Sequence, residues 1–508
     1  MDITSFEFGL FFLISIIVYW IIPLKHRWIV LLLASIAFFL ISSNPWTIIY
    51  LAVSIISVYF ASNYFEQTRN DAEKKRARKT VLIMSVILNV AILTVLKYSN
   101  FFIGNVNRFL PDSSKWSFIH LAAPIGISFY TLQLIAYLSA SYYGVTRVET
   151  NIGKLALFTC YFPQMVSGPI SRHKDIGDQL NEGHEFDYDN VTGGLRRIAW
   201  GLVKKLAISN RLAVLIDYMW DNPQTFSGLW IWVAAFGFCI QLYADFSGCM
   251  DIVLGVSRCF GIVLPENFNA PFLSKSIQEF WNRWHITLGL WLRDYIMNPL
   301  LKSKKFIRIG EWSRAKFGKK RGRKIPTYIA MFVLWTLMGI WHGDSWKYIV
   351  GEGWWFWAVI VLSSLLEPEF EKIKGLLRIR DENVFWKAFQ VIRTWFIFSV
   401  GMLFFRADSF IDGINRIKMG LAIGNISAIS DLMTIREDVG GKVGALVLLT
   451  SMLLLVLQEI VQYKKEVSLY QVIEGKRRVF RYAFYYITVF LILLSLNIGN
   501  QEFIYAQF

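Results

Sequence analysis

The side chains best suited to acid–base chemistry in this 508-residue sequence are two of its six histidines. His285 lies in Glu279-Phe280-Trp281-Asn282-Arg283-Trp284-His285-Ile286-Thr287-Leu288-Gly289-Leu290-Trp291-Leu292-Arg293-Asp294-Tyr295, and His342 in Leu337-Met338-Gly339-Ile340-Trp341-His342-Gly343-Asp344-Ser345-Trp346. At helical spacing Trp281, His285, Leu288, Leu292 and Tyr295 share one face, which predicts a single imidazole in an aromatic and aliphatic stripe. Gly339 and Gly343 lie a turn to either side of His342 and leave room for a substrate or a neighbouring backbone to approach the ring. Burial disfavours imidazolium, so both rings are expected to be neutral at pH 7 and able to take a proton from a hydroxyl. The plain alternatives are a histidine bonded to a backbone carbonyl at 285 and an interfacial helix-end histidine at 342. His26, His120, His173 and His184 fall in or beside polar loops and read as solvated surface residues.

Other chemistries lack their signatures. There is no HExxH, and Asp344 is the only further candidate ligand near His342, so no metal is expected. No GxxxxGK[ST], no GxGxxG after a strand and no GxSxG is present, which leaves nucleotide hydrolysis, nicotinamide redox chemistry and a hydrolase triad without support. The four cysteines, Cys160, Cys239, Cys249 and Cys259, sit in apolar stretches without a CxxC, so neither a zinc cage nor a disulfide framework is suggested. Cys249, in Asp245-Phe246-Ser247-Gly248-Cys249-Met250-Asp251, reads as a small core residue rather than an acyl carrier.

The elements that must position these histidines are membrane helices. Hydrophobic residues make up 55% of the chain and charged residues 18%, whereas soluble domains sit near about 45–50% and about 25%. The 20 Trp, 22 Tyr and 41 Phe suit bilayer interfaces and apolar cavities. Nine stretches are apolar over the roughly 17–20 residues that a span requires, near 6–23, 29–43, 46–62, 80–97, 326–342, 350–366, 387–405, 444–463 and 481–498. The first starts with Asp2 rather than a basic region and has no small-residue cleavage site, so it is expected to be retained.

The formal charge of +16 is concentrated in short loops, around Arg69–Lys79, Lys302–Lys324 and Lys464–Arg481, which fits the positive-inside bias and not nucleic-acid binding. With those loops inside, both termini fall outside, as do the 343–349 turn and the 406–443 loop, and the tail Gly499–Phe508 carries no Lys or Arg. Between about 100 and 300 the apolar runs are broken by Pro124, Gly126, Pro163, Gly168, Pro169, Gly237, Gly248, Pro265 and Pro271. Such breaks persist at membrane depth only beside protein or a wet cavity, which predicts re-entrant or tilted helices around a passage. No internal or inverted repeat is visible, which weakens a proton-coupled transporter, the competing reading from another class. An amphipathic cytosolic segment is expected around Leu195–Leu206, with Arg196, Arg197, Lys204 and Lys205 flanking Ile198, Trp200 and Leu202.

Four ordered blocks then carry a family resemblance: Gln241-Leu242-Tyr243-Ala244-Asp245-Phe246-Ser247-Gly248; Phe260-Gly261-Ile262 with Pro265-Glu266-Asn267-Phe268-Asn269 and Pro271-Phe272; Phe280-Trp281-Asn282-Arg283-Trp284-His285; and Gly339-Ile340-Trp341-His342-Gly343. Upstream, Pro124–Tyr130 and Phe162–Ile170 look like re-entrant segments. Over nearly its whole length the sequence resembles the membrane-bound O-acyltransferase superfamily, in its bacterial polysaccharide O-acetylation branch. That branch is related to the D-alanyl transfer proteins of teichoic acid modification.

The resemblance implies an all-α polytopic fold, a helical bundle with re-entrant or tilted helices around a transmembrane tunnel. It implies a single integral membrane domain over 1–508, with its core at about 120–405 and peripheral spans at 1–97 and 444–499. His342 would be the catalytic base and His285 its partner in the tunnel, with Asn282, Trp284, Trp341, Gln241, Tyr243, Asp245, Ser247 and Asn267 as tunnel or substrate support. The implied donor is acetyl-CoA, a substrate rather than a resident cofactor. The implied acceptor is an extracytoplasmic polysaccharide hydroxyl, reached directly or through an exported or membrane-anchored partner transferase. The implied location is the bacterial cytoplasmic membrane. The two spans at 444–463 and 481–498 and the ending Phe503-Ile504-Tyr505-Ala506-Gln507-Phe508 look like the O-acetylation type rather than the shorter D-alanyl type, which remains the rival within the family.

Overall fold

The computed structural model describes every residue except 425–427, 436, 497–503 and 505–508. Long apolar runs taken out of water must satisfy their backbone groups internally, and a helix does so within one segment. Among the described residues there is accordingly no named strand, only an isolated antiparallel bridge between Phe268 and Trp284. Among the described residues eight helices are long and apolar enough to cross a bilayer: Leu24–Ser42, Pro45–Gln67, Lys75–Asn107, Leu229–Cys259, Ile325–His342, Lys347–Leu376, Val384–Arg406 and Gly441–Lys465. The chain is an all-α multi-pass membrane protein.

Two differences from the expected spans are informative. Leu229–Cys259 is one continuous helix of 31 residues, although Gly237 and Gly248 read as breaks. The glycines serve close approach instead: a Cβ on Gly248 would lie 2.9 Å from the Gly201 carbonyl oxygen. The first and last expected spans are helices of 16 residues each, Phe6–Ile21 and Arg478–Leu493. The tail Gly499–Phe508 falls outside the described residues apart from Ile504. The 406–443 loop contains two short helices, Phe410–Gly420 and Ile429–Thr434.

The chain divides into two compact units. The first comprises Met1–Ile198 with Cys249–Pro265. Its helices Arg27–Ser42, Ile48–Gln67 and Lys75–Asn107 pack with Ile127–Tyr143 and Ile152–Cys160. Gly126 (φ +72°) starts the 127–143 helix from the left-handed region and lets the Met165 carbonyl come so close that a Cβ would lie 2.0 Å from its oxygen. In this unit His173 departs from the solvated reading. It is buried, with its ring 4.9 Å from Tyr137 and 5.0 Å from Phe158, because its helix His173–Asn181 packs on Ile152–Cys160. His184 is half-buried, while His26 and His120 are exposed.

The second unit comprises Ala199–Gly248 with Glu266–Ile504. Its described residues include three π-helical stretches, Val203–Ser209, Arg293–Met297 and Lys347–Trp354. Such insertions rotate side chains out of α-helical register and recur at functional sites. The first corrects the amphipathic expectation around Leu195–Leu206. Lys204 and Lys205 are buried, not displayed toward water, because the whole Val203–Ser209 stretch is enclosed by packed segments, and Lys205 Nζ meets Asp245 Oδ1 at 2.6 Å. Trp200, Val203 and Ala207 pack with Val447 and Leu491 in the same apolar cluster.

Candidate active site

His285 is placed by a break in the helix. The helix Ile277–Arg283 ends, Trp284 is extended, and His285 takes φ +48°, ψ +50° before a new helix runs over Ile286–Leu292. The stripe expected from Trp281 through His285 to Tyr295 therefore does not exist as one helical face. The cause is a short crossing with 267–269: Ile286 N donates to the Asn267 carbonyl and Asn269 N to the Arg283 carbonyl, both at 3.0 Å. Asn267 Oδ1 also accepts from Thr287 N at 3.0 Å and from Thr287 Oγ1 at 2.7 Å. These bonds hold a left-handed conformation that costs a non-glycine residue about 1–2 kcal/mol. Strained backbone of this kind gathers at functional sites.

The His285 ring, 2% exposed, sits 4.9 Å from Phe246 and 5.8 Å from Trp341. It lies outside the eight apolar spans, and its burial, with the nearby His342 as a lesser cause, holds the imidazole below its ordinary pKa range.

His342 closes the helix Ile325–His342, and the chain turns back at once through Gly343 into the π stretch Lys347–Trp354. The two segments are in intimate contact. A Cβ on Gly339 would lie 2.5 Å from the Tyr348 carbonyl oxygen, and one on Gly343 would lie 2.3 Å from the Tyr348 ring. The space left by the two glycines is thus taken by the neighbouring backbone and ring. Its consequence is the carboxylate that sequence reading missed. Glu352 Oε2 stands 2.9 Å from His342 Nδ1, with the two side chains 1% and 3% exposed. Trp341 stands 5.3 Å and Phe405 5.7 Å from the His342 ring. The Trp341 indole thus contacts both histidines. Glu352, ten residues from His342 across a turn, has no helical-periodicity signal, because the intervening π turn sets its direction.

The remaining expected residues divide into three groups. Trp284 is packed among Tyr243, Phe246, Phe268, Phe272, Phe280 and Phe398 and walls the His285 side. Tyr243 donates to Glu459, whose other oxygen accepts from Phe272 N at 3.4 Å. Asp245 pairs with Lys205, Ser209 Oγ at 3.4 Å and Ile504 N at 2.9 Å. Asn267 is engaged with Thr287. Tyr243 belongs to the aromatic wall and Asn267 to the crossing that turns His285, whereas the partners of Asp245 lie outside the wall. Gln241 and Ser247 are buried with side-chain oxygens that have no hydrogen-bond partner among the described residues. Asn282 is exposed. Both imidazoles, by contrast, are buried.

The structure thus shows a buried His–carboxylate pair, a second histidine with strained backbone and an aromatic enclosure on a multi-pass helical frame. The membrane-bound O-acyltransferase family matches residues 36–313, over half of the sequence, and the chain belongs to that family. His342 lies beyond the matched segment, which is narrower than the near-complete likeness read from the four blocks. The chain is 34% identical over 336 residues to the probable alginate O-acetylase of Pseudomonas aeruginosa, covering 65% of this chain and 59% of that protein. It is 32% identical over 347 residues to the peptidoglycan O-acetyltransferase of Helicobacter pylori, covering 63% and 61%. It is 32% identical over 237 residues to the teichoic acid D-alanyltransferase of Bacillus subtilis, covering 46% and 56%. In each case the matched part spans less than two thirds of the relative's own length.

Proposed function

We propose that the protein is an O-acyltransferase of the bacterial cytoplasmic membrane that moves an acetyl group from cytosolic acetyl-CoA to an extracytoplasmic polysaccharide hydroxyl, or to a partner transferase that finishes the transfer. The observation that carries this reading is the buried His342–Glu352 pair. With Nδ1–H donating to Glu352, the neutral ring presents Nε2 as an acceptor. In the step proposed, Nε2 takes the proton of the acceptor hydroxyl while the oxygen bonds to the thioester carbonyl carbon. The tetrahedral oxyanion collapses, the C–S bond breaks, and the thiolate leaves with the proton from His342. The products are an acetyl ester and free CoA. A carboxylate bonded to Nδ1 both fixes the tautomer and stabilises the transient imidazolium.

His285 is proposed to hold the donor or the oxyanion, with Trp284 and Trp341 enclosing it and Gln241 and Ser247 offering polar contacts to the reactants. The enclosure excludes water, which protects the thioester from hydrolysis and strengthens each electrostatic contact. The positive-inside distribution supports an outer-side position for His342, where a polysaccharide would arrive. Acetyl transfer is favoured over D-alanyl transfer because the two O-acetyl relatives match over 336 and 347 residues and the D-alanyl relative over 237.

The deciding experiment is release of free CoA from acetyl-CoA by the purified protein in lipid, with an acceptor polysaccharide and its partner supplied. Wild type is run beside His342→Ala and His285→Ala. Acceptor-dependent release that disappears with His342→Ala supports the reading, and undiminished release by that variant sinks the mechanism. Consumption of a carrier-protein D-alanyl thioester instead of acetyl-CoA would move the protein to the rival chemistry.

A further inference from the structure

A groove of about 1050 Å³ opens in the second unit beside the start of the Ile325–His342 helix, about the size of known cofactor and ligand pockets, roughly 300–1,000 Å³. Its mouth carries Arg314, Lys319, Lys320, Arg323 and Lys324. Lys324 is partly neutralised, since its Nζ lies 3.4 Å from Glu367. Among the described residues, no ion pair engages the other four. Four like charges at one mouth repel one another, and a flexible loop would spread them apart.

The local fold holds them together. The segment Lys304–Gly322 kinks at Gly318, at φ +77°, and folds back on itself. Ser313, fully buried, donates its hydroxyl to the Gly322 carbonyl at 2.8 Å, and a Cβ on Gly322 would lie 2.2 Å from the Ser313 backbone carbonyl oxygen. Arg314, before the kink, and Lys319, Lys320 and Arg323, after it, are thereby fixed around one opening. The interior is different in kind, because Tyr328, Met331 and Ile360 give it an apolar floor. A ligand that fits carries several negative charges at one end and an uncharged, partly apolar body.

The groove also has a direction. Gln278 lines it and belongs to the Ile277–Arg283 helix, whose end delivers His285. Seven helical residues span about 10 Å. A ligand anchored among the cations thus lies one short helix away from the His285 backbone turn. An inner-leaflet lipid headgroup would need only exposed cations at the bilayer surface, and gains nothing from this link to the site.

We infer that this groove is the binding site for the phosphate end of the thioester donor, the cations holding the phosphates and the apolar floor holding the stem that leads toward His285. This inference rests on the acyltransferase reading for the identity of the ligand, but binding can be read without turnover. The probe is radiolabelled coenzyme A, titrated onto the full chain in nanodiscs of uncharged phosphatidylcholine. The variant is the triple K319Q/K320Q/R323Q. Its control, K304Q/K305Q/R308Q, removes as many charges from the same segment at positions outside the groove.

Loss of two or more charge-assisted contacts weakens binding of coenzyme A by about tenfold or more in the groove variant, while the control stays within about twofold. Dephospho-coenzyme A, with one phosphate fewer, binds wild type more weakly and discriminates less between wild type and the groove variant. Equal affinity of the groove variant and wild type overturns the inference, as does absence of coenzyme A binding to wild type. Retained binding with loss of co-purifying phosphatidylglycerol in the groove variant also overturns it, and assigns the groove to lipid. Groove-dependent binding without thioester consumption under any acceptor leaves the groove assignment standing and removes the acyltransferase reading instead.

Discussion

Glu352 Oε2, carried by the π-helical stretch Lys347–Trp354, lies 2.9 Å from His342 Nδ1, and both side chains are buried. In the proposed reaction the carboxylate acts through the imidazole rather than on a substrate. Its removal is expected to change the rate of the chemical step while leaving substrate affinity in place.

Glu352→Gln keeps the size of the side chain but cannot stabilise an imidazolium or enforce one tautomer. The expected outcome is a fall of about 100-fold or more in kcat, within the range for general acid–base groups, with KM changed by less than about threefold. Glu352→Asp should recover part of the loss. Steady-state release of CoA at saturating acceptor measures the split, and a rise in KM with kcat intact would assign Glu352 a purely structural role.

At His285 the backbone and the ring are separable. Asparagine tolerates the left-handed region, whereas a β-branched residue does not. His285→Asn is expected to keep the unfolding temperature of the detergent-solubilised protein near wild type while lowering activity. His285→Val should lose about 1–2 kcal/mol through strain at φ +48° as well as activity. Equal melting temperatures for the two variants would contradict the strained crossing with 267–269.

The contact between the His342 helix and the Glu352 turn depends on Gly339. An alanine there would put Cβ 2.5 Å from the Tyr348 carbonyl oxygen and 2.7 Å from Ile349 Cα, both backbone atoms that cannot rotate away. Gly339→Ala should destabilise by about 1–3 kcal/mol and push the 347–354 turn outward, reducing activity beyond what the stability loss explains. Thermal unfolding beside CoA release tests this. A fully active, equally stable variant would mean that the turn has slack.

Lys205 and Asp245 form a buried ion pair at 2.6 Å, 1% and 0% exposed. Lys205→Met leaves an uncompensated carboxylate and should cost about 3–5 kcal/mol, whereas Lys205→Met with Asp245→Leu should cost much less, since a matched apolar pair avoids the desolvation of two ions. Denaturant or thermal melts of the three forms measure the coupling. Additive losses would mean that the pair is not the unit of stability.

Composition and periodicity alone determined that this chain is a multi-pass helical membrane protein. A span needs only a long apolar run, and the basic loops and aromatic residues are written directly in the sequence. The two histidines were legible for the same reason: an imidazole in an apolar context stands out, and the ordered blocks around it are local strings. What the sequence concealed was direction. His285 looked like part of one helical stripe, and only the bonds from Asn267 and Asn269, close to it in space, break that helix and turn the ring. Gly237 and Gly248 looked like interruptions, and close packing against Ile216 and Gly201 makes them part of a continuous span. Lys204 and Lys205 looked solvated, and packed segments enclose the whole stretch that carries them. Glu352 carried no signal, because its partnership with His342 depends on how two segments pack at Gly339. Hydrophobic pattern fixes which segments leave water. Contacts between residues far apart in the chain decide which way their polar side chains then face.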